Sequence, residues 1–246
     1  MPDALPAPPP DTVDALALFL DFDGTLVELA ETPDAIRVPP QLSPLLGRLA
    51  ERLHGRLAII SGRAIADLER HIACGGIAVS GSHGLELRLC DGSHVPLAVP
   101  GGLDHARERS ARFAGAIPGL LVEDKPFSIA IHYRRAPERA EEVHAFMRRL
   151  ADETGLILQA GKMVEELRPT GADKGDALRA LMREPEFAGA RPLFVGDDLT
   201  DEHAFSAAAE LGGGGVLVGA PRETAARWRL ADVSGVAGWL ERLAGQ

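Results

Sequence analysis

Short, uninterrupted apolar runs recur along this chain, and between them apolar residues return every three or four positions. The runs Leu16–Phe22, Arg56–Ser61, Ile77–Ser80, Pro192–Gly196 and Gly215–Val218 predict buried strands. The segments Pro40–Leu53, Ala64–Ile72, Lys174–Arg183, Asp201–Glu210, Pro221–Leu230 and Val236–Leu243 predict helices. Apolar strands alternating with amphipathic helices imply a parallel sheet covered on both faces.

The middle of the chain has another rhythm. Leu85–Leu89 and His94–Ala98 flank Asp91-Gly92, a hairpin signal. A helix over Leu103–Ala116, strands at Leu120–Glu123 and Phe127–Tyr133, a helix over Pro137–Thr154 and strands at Leu156–Ala160 and Met163–Leu167 then follow. That order predicts a small sheet with helices on one face. The expected organisation is a disordered leader at 1–11, an α/β Rossmann-like core at 12–98 and 168–246, and an inserted α/β domain at 99–167.

Ligands of open parallel sheets bind beyond the carboxyl ends of the strands, and three predicted strands end there in polar residues. The first delivers Asp21 and Asp23, which point the same way along an extended chain. The second runs into Ser61-Gly62-Arg63, and the fourth into Gly196-Asp197-Asp198, with Asp201 one helical turn on. Paired carboxylates at the end of an apolar strand repel each other, so a cation between them or a shared proton is expected. Lys174 stands at a predicted helix start behind the N-cap Asp173, where its charge opposes the macrodipole unless it reaches an anion.

The constellation suits phosphoryl transfer. Asp21 is the nucleophile candidate. Asp23 is the general acid and base, for which nearby negative charge is expected to raise the pKa. Mg²⁺ is the expected cofactor, held by an oxygen of Asp21, the backbone carbonyl of Asp23 and Asp197. Ser61, Gly62 and neighbouring amides would bind phosphate, with Lys174 neutralising charge. Asp201 either binds the metal through water or orients Lys174.

Composition narrows the setting. The chain has 246 residues, 46% of them hydrophobic, and a net charge of −10, which argues against nucleic acid as a partner. No run is long enough to cross a bilayer, and Cys74 and Cys90 make no disulfide framework, so a reduced, cytoplasmic protein is expected. There is no dinucleotide fingerprint after the first strand, no Walker loop, no His-Glu-x-x-His and no nucleophile elbow.

The series Asp21-Phe22-Asp23-Gly24-Thr25, Ser61-Gly62-Arg63, Lys174 and Gly196-Asp197-Asp198-Leu199-Thr200-Asp201 resembles the haloacid dehalogenase superfamily. The insertion is similar to the α/β cap of its sugar-phosphatase branch. Within that branch, four stretches resemble the trehalose-6-phosphate phosphatase family. They are Gly81–Glu86, Val122–Ser128, Gly161–Pro169 and Gly171–Gly175. The resemblance implies a Mg²⁺-dependent hydrolase that forms an aspartyl-phosphate and completes trehalose biosynthesis. It places Glu123, Lys125, Ser128, Lys162 and Glu166 where the cap touches the sugar. It implies a small sugar phosphate as substrate, and no protein partner is implied; the lack of a spanning run argues against a membrane partner. Glu165 stands where the family is apolar, which leaves the register of Glu165 and Glu166 open. A sister phosphatase for sucrose phosphate or mannosylphosphoglycerate is the alternative, with a catalytically silent sensor behind it.

Overall fold

A computed structural model describes residues 5–8, 15–30, 36–95, 102–125, 127–161, 163–169 and 173–245. The chain divides into two compact units, Met1–Leu97 with Ala172–Gln246, and Ala98–Gly171.

The first unit contains β1 (Leu16–Leu20), α1 (Leu42–Arg52), β2 (Leu57–Ile60), α2 (Ile65–His71), β3 (Ala78–Gly81) and β4 (Glu86–Arg88). The second unit supplies α3 (Leu103–Gly115), β5 (Leu121–Lys125), β6 (Ser128–His132), α4 (Ala140–Thr154), β7 (Ile157–Gly161) and β8 (Val164–Arg168). The chain then returns to the first unit with α5 (Lys174–Leu181), β9 (Arg191–Gly196), α6 (Glu202–Glu210), β10 (Gly214–Val218), β11 (Trp228–Leu230) and α7 (Val233–Gly245).

The first unit's sheet runs β11-β10-β9-β1-β2-β3-β4. Its pairings are parallel except for β3 with β4. β1 lies inside, and its apolar run is continuous because each face has its own core. Leu18 and Leu20 pack with Leu45, Leu46 and Leu49 of α1 and Val236 and Leu240 of α7. Ala17 and Phe19 pack with Leu178 and Leu181 of α5 and Phe205 of α6. After β1 the chain winds outward through β2 and β3, and after its return through β9, β10 and β11 on the other side. The order therefore reverses between β1 and β9. The carboxyl ends of two neighbouring strands diverge there and leave a crevice.

The second unit is an antiparallel sheet, β5-β6-β8-β7. Ile129, Ile131 and Leu167 face Leu103 and Ala106 of α3 and Val143, Met147 and Leu150 of α4. The rings of Phe113 and Phe146 stack with centroids 4.0 Å apart. α4 ends at Gly155, whose φ of 72° is the left-handed stop that glycine adopts without a Cβ clash. β8 ends at Arg168, within the unit's span of Ala98–Gly171.

The structure departs from the sequence reading over one segment. The segment expected to be a helix over Pro221–Leu230 instead ends in β11, paired with β10 through Val216 and Trp228. Its amides are satisfied elsewhere: Ala225 N–H donates to the Glu202 carboxylate at 2.8 Å, and Arg227 N–H to the Gly215 carbonyl at 2.9 Å. Tertiary partners displace the helix ladder. The expected hairpin forms around Asp91-Gly92: Arg88 and His94 make an antiparallel bridge, Leu89 N–H donates to the Ser93 carbonyl at 2.8 Å and Val95 N–H to the Leu87 carbonyl at 2.9 Å, while β4 also pairs with β3. Residues 96–98 lie outside the described residues, as do 1–4 and 9–11 of the expected leader. Within that leader, the Pro6 carbonyl accepts a hydrogen bond from Arg229 N–H at 2.9 Å.

Candidate functional site

Asp21 N–H donates to the Val195 carbonyl at 2.9 Å, carrying the β1–β9 ladder one residue past the strand and fixing Asp21 at the rim of the crevice. The chain then turns sharply: Leu26 N–H and Val27 N–H return to the Phe22 carbonyl, and Gly24 adopts a φ of 80°. A Cβ on Gly24 would lie 2.1 Å from Asp197 Oδ2, so only glycine lets the Asp197 carboxylate rest against this turn. Gly196 does the same at the end of β9, where a Cβ would meet the Asp201 carboxylate at 2.4 Å.

Lys174 is the first residue of α5 and is buried. Asp173 caps the helix by accepting from Asp176 N–H at 2.8 Å. The Lys174 ammonium reaches Asp21 Oδ1 at 2.7 Å and Asp201 Oδ1 at 2.6 Å. Asp201 Oδ2 accepts from Asp198 N–H at 2.9 Å, so both Asp201 oxygens are engaged. Asp197 accepts from the Thr25 hydroxyl at 3.2 Å.

Asp21, Asp197 and Asp201 bring one oxygen each within 4.8 Å of one another, a group that could hold a metal ion. Three carboxylates face one ammonium, which leaves two negative charges uncompensated. Burial pushes the Asp21 pKa well up; Lys174 opposes this, and Asp201 and Asp197 add to it. Burial also raises Asp197, with the charge of Asp201 behind it. Lys174 moves the other way from a buried amine on its own: burial disfavours its charge, but Asp21 and Asp201 outweigh that and hold it above its ordinary value. A raised acid and a raised base in one pair pull in opposite senses. The excess of carboxylates resolves this, because one ammonium cannot neutralise three acids. The donor set is all oxygen, which fits a hard divalent cation.

Asp23 faces a guanidinium rather than another acid, contrary to the expected negative neighbour. Arg63 Nε donates to Asp23 Oδ2 at 2.7 Å and Nη2 to Oδ1 at 2.8 Å. Its Nη1 donates to Asp67 Oδ2 at 2.8 Å. The hydrogen bond with Asp23, followed by those with Asp67, holds the Arg63 pKa above its ordinary value despite burial. Burial works against the Asp67 carboxylate, and Arg63 and Arg70 outweigh it, so its pKa lies below the usual range. Neither Arg63 nor Asp67 was assigned a role from sequence. The signal available was their spacing of four on a helical turn directly after Ser61-Gly62.

Ser61 continues the β2–β3 ladder, its N–H donating to the Ser80 carbonyl at 2.9 Å. It is fully buried, and its hydroxyl accepts from Arg63 N–H at 3.1 Å, which leaves the hydroxyl proton to be donated. A cavity of about 520 Å³ lies at this rim, lined by Asp21, Asp23, Gly62, Arg63, Lys174 and Asp197 among others. That volume is in the range of small-ligand sites.

The second unit carries a polar cluster of its own. Strand alternation turns Glu165 to the helices, where it is buried and lies 3.1 Å from His144 Nδ1. Glu166 therefore takes the opposite face. There it accepts from Lys125 Nζ at 3.2 Å and from the Ser128 hydroxyl. Glu123 joins them through Lys125 at 3.8 Å and through His132 at 2.8 Å. Lys162 lies outside the described residues.

The chain matches the family model described as Trehalose-phosphatase over residues 19–234. It is 39% identical over 211 residues to the probable trehalose-phosphate phosphatase of Sinorhizobium fredii, covering 85% of this chain and 80% of that one. To the trehalose-6-phosphate phosphatase of Escherichia coli K12 it is 38% identical over 235 residues, covering 92% and 86%. Among solved structures, crystal form 3 of the trehalose-6-phosphate phosphatase of Aspergillus fumigatus superposes with a TM-score of 0.70 at 27% identity, covering 98% and 99%. A phosphatase of the haloalkanoate (HAD) superfamily from Bacteroides thetaiotaomicron gives 0.60 at 17% identity over 91% and 92%, a likeness of fold. No helix among the described residues is long and apolar enough to cross a membrane.

Proposed function

Because the chain belongs to the trehalose-phosphatase family and is a phosphatase, we propose that it hydrolyses trehalose 6-phosphate to trehalose and phosphate through an aspartyl-phosphate on Asp21. The observation that carries this reading is the buried Asp21–Lys174–Asp201 chain beside Asp197 at the switch point of the sheet. It presents a carboxylate at a strand end, a fixed cation beside it, and a negative surplus suited to a divalent ion.

In the first step an Asp21 oxygen attacks phosphorus and the bond from phosphorus to the sugar oxygen breaks. Asp23 gives its proton to the departing alkoxide. In the second step Asp23 takes a proton from water as the water oxygen attacks phosphorus. The bond to Asp21 breaks and the carboxylate is restored. Lys174 holds Asp21 in place and neutralises charge as the phosphoryl group arrives. Asp201, with both oxygens engaged, orients Lys174. Ser61 and the amide of Gly62 bind phosphate oxygens. Mg²⁺ held by Asp21, the Asp23 carbonyl and Asp197 would neutralise the phosphate dianion.

The cluster of Glu166, Lys125, Ser128 and Glu123 reads the sugar. Paired acceptors and donors on one sheet face match vicinal hydroxyls, each of which both donates and accepts. Phosphate release across trehalose 6-phosphate, sucrose 6-phosphate, mannosylphosphoglycerate, glucose 6-phosphate and p-nitrophenyl phosphate tests the assignment. Trehalose 6-phosphate should lead in kcat/KM, and a chelator should stop turnover until Mg²⁺ is restored. A different leading sugar would reassign the substrate, and full activity in chelator would remove the metal.

A further inference from the structure

Arg63 is held at both ends. Its N–H donates to the Ser61 hydroxyl, and its carbonyl accepts from Ser82 N–H at 2.8 Å. Gly81 lies so close that a Cβ there would come within 2.8 Å of the same carbonyl. The Arg63 side chain is only 9% exposed. Its guanidinium carbon sits 5.9 Å from the centroid of the Phe22 ring, which shields one side of the fork. Asp67 secures Nη1 while Nε and Nη2 grip the two oxygens of Asp23.

We propose that Arg63 is a positioning residue for Asp23: anchored by Asp67 and Phe22, its fork fixes the plane and direction of the Asp23 carboxyl at the rim. The inference rests on the reading of Asp23 as the acid and base. A carboxyl gripped at both oxygens cannot rotate about its terminal bond. The fork uses one acceptor site on each oxygen, and a carboxylate offers about four in all, so lone pairs of Asp23 remain for contact with the leaving group or water. A lysine would supply a point charge but not the two-point grip. Three of the five donors of Arg63, on Nε, Nη1 and Nη2, are committed to Asp23 and Asp67, which favours positioning over direct phosphate binding.

The test is a kinetic cycle. Arg63→Lys, Asp23→Asn and the double variant are assayed on trehalose 6-phosphate and on p-nitrophenyl phosphate, whose leaving group needs no proton. Arg63→Lys should lower kcat on the sugar phosphate by about 10–100-fold, with KM within about twofold and a smaller loss on the aryl ester. In the Asp23→Asn background it should cost nothing further. Asp67→Asn should show the same pattern more weakly, and serves if Arg63→Lys fails to fold. A KM increase on both substrates in both backgrounds would make Arg63 a phosphate ligand and overturn the proposal. Losses that multiply in the double variant would reduce it to a structural residue. Asp23→Asn alone judges the underlying reading through kcat/KM, which reports the first step and not the shared hydrolysis of the phospho-enzyme: equal loss of kcat/KM on both substrates would end the acid assignment and the positioning role with it.

Discussion

Asp21 sits in an environment that a neutral isostere can share, because asparagine keeps an oxygen for the Lys174 ammonium 2.7 Å away. Asp21→Asn should therefore fold normally by circular dichroism while kcat falls by about a thousandfold or more. Near-normal turnover would exclude the covalent route. Glu166 makes a different kind of residue-scale prediction. Its carboxylate gathers Lys125 and Ser128. Glu166→Ala should raise KM for trehalose 6-phosphate about tenfold or more and leave p-nitrophenyl phosphate nearly unchanged. Equal effects on both would give Glu166 a packing role. Candidate residues were visible in sequence wherever chemistry stands at the end of an apolar run, as with Asp21, Asp23 and Asp197. Arg63 and Asp67 were not assigned, because what matters is which carboxylate Arg63 grips across 40 positions of chain, and spacing along the sequence does not encode that.

Among the elements, the turn after β1 is tightly constrained. Gly24→Ala would force a side chain into left-handed backbone and drive its Cβ against Asp197. It should cost about 1 kcal/mol or more in stability and displace Asp197, weakening Mg²⁺ activation as read from the Mg²⁺ concentration for half-maximal rate. An unchanged Mg²⁺ requirement would show that Asp197 is not a ligand. The start of α5 offers a milder case. Asp173 caps the helix that presents Lys174, and Asp173→Ala should lower stability by about 1 kcal/mol in urea denaturation. A wild-type midpoint would show the cap to be dispensable. Strands and helices with strong periodicity were legible from sequence, including the break in rhythm over the second unit. The segment before β11 was not. Its helical spacing is real, but Glu202 and Gly215 supply better partners for its amides than its own ladder would.

For the whole molecule, the acid cluster links folding to pH. The raised pKa values of Asp21 and Asp197 mean that, above the ordinary aspartate value of 3.8, the folded state binds more protons there than the unfolded chain does. Stability without metal should then decline as pH rises through that window. Lys174, raised from 10.5, keeps its contribution throughout, because its ordinary value lies far above it. If the cluster holds Mg²⁺, the ion should raise Tm more at neutral pH than near pH 5, because it would bind the deprotonated carboxylates. A Mg²⁺ effect independent of pH would detach the cluster from metal binding. The alternation of apolar runs with helical periods sufficed by itself for the α/β class, and it pointed to an inserted unit and to a rim for the candidate acids. These follow from local geometry, from period and from where an apolar run must stop. Only the tertiary structure decided that Lys174 lies between Asp21 and Asp201, that Arg63 grips Asp23, and that Glu166 rather than Glu165 joins Lys125 and Ser128. Each of those contacts joins residues distant in the chain, and their partners are selected by the order in which strands pair.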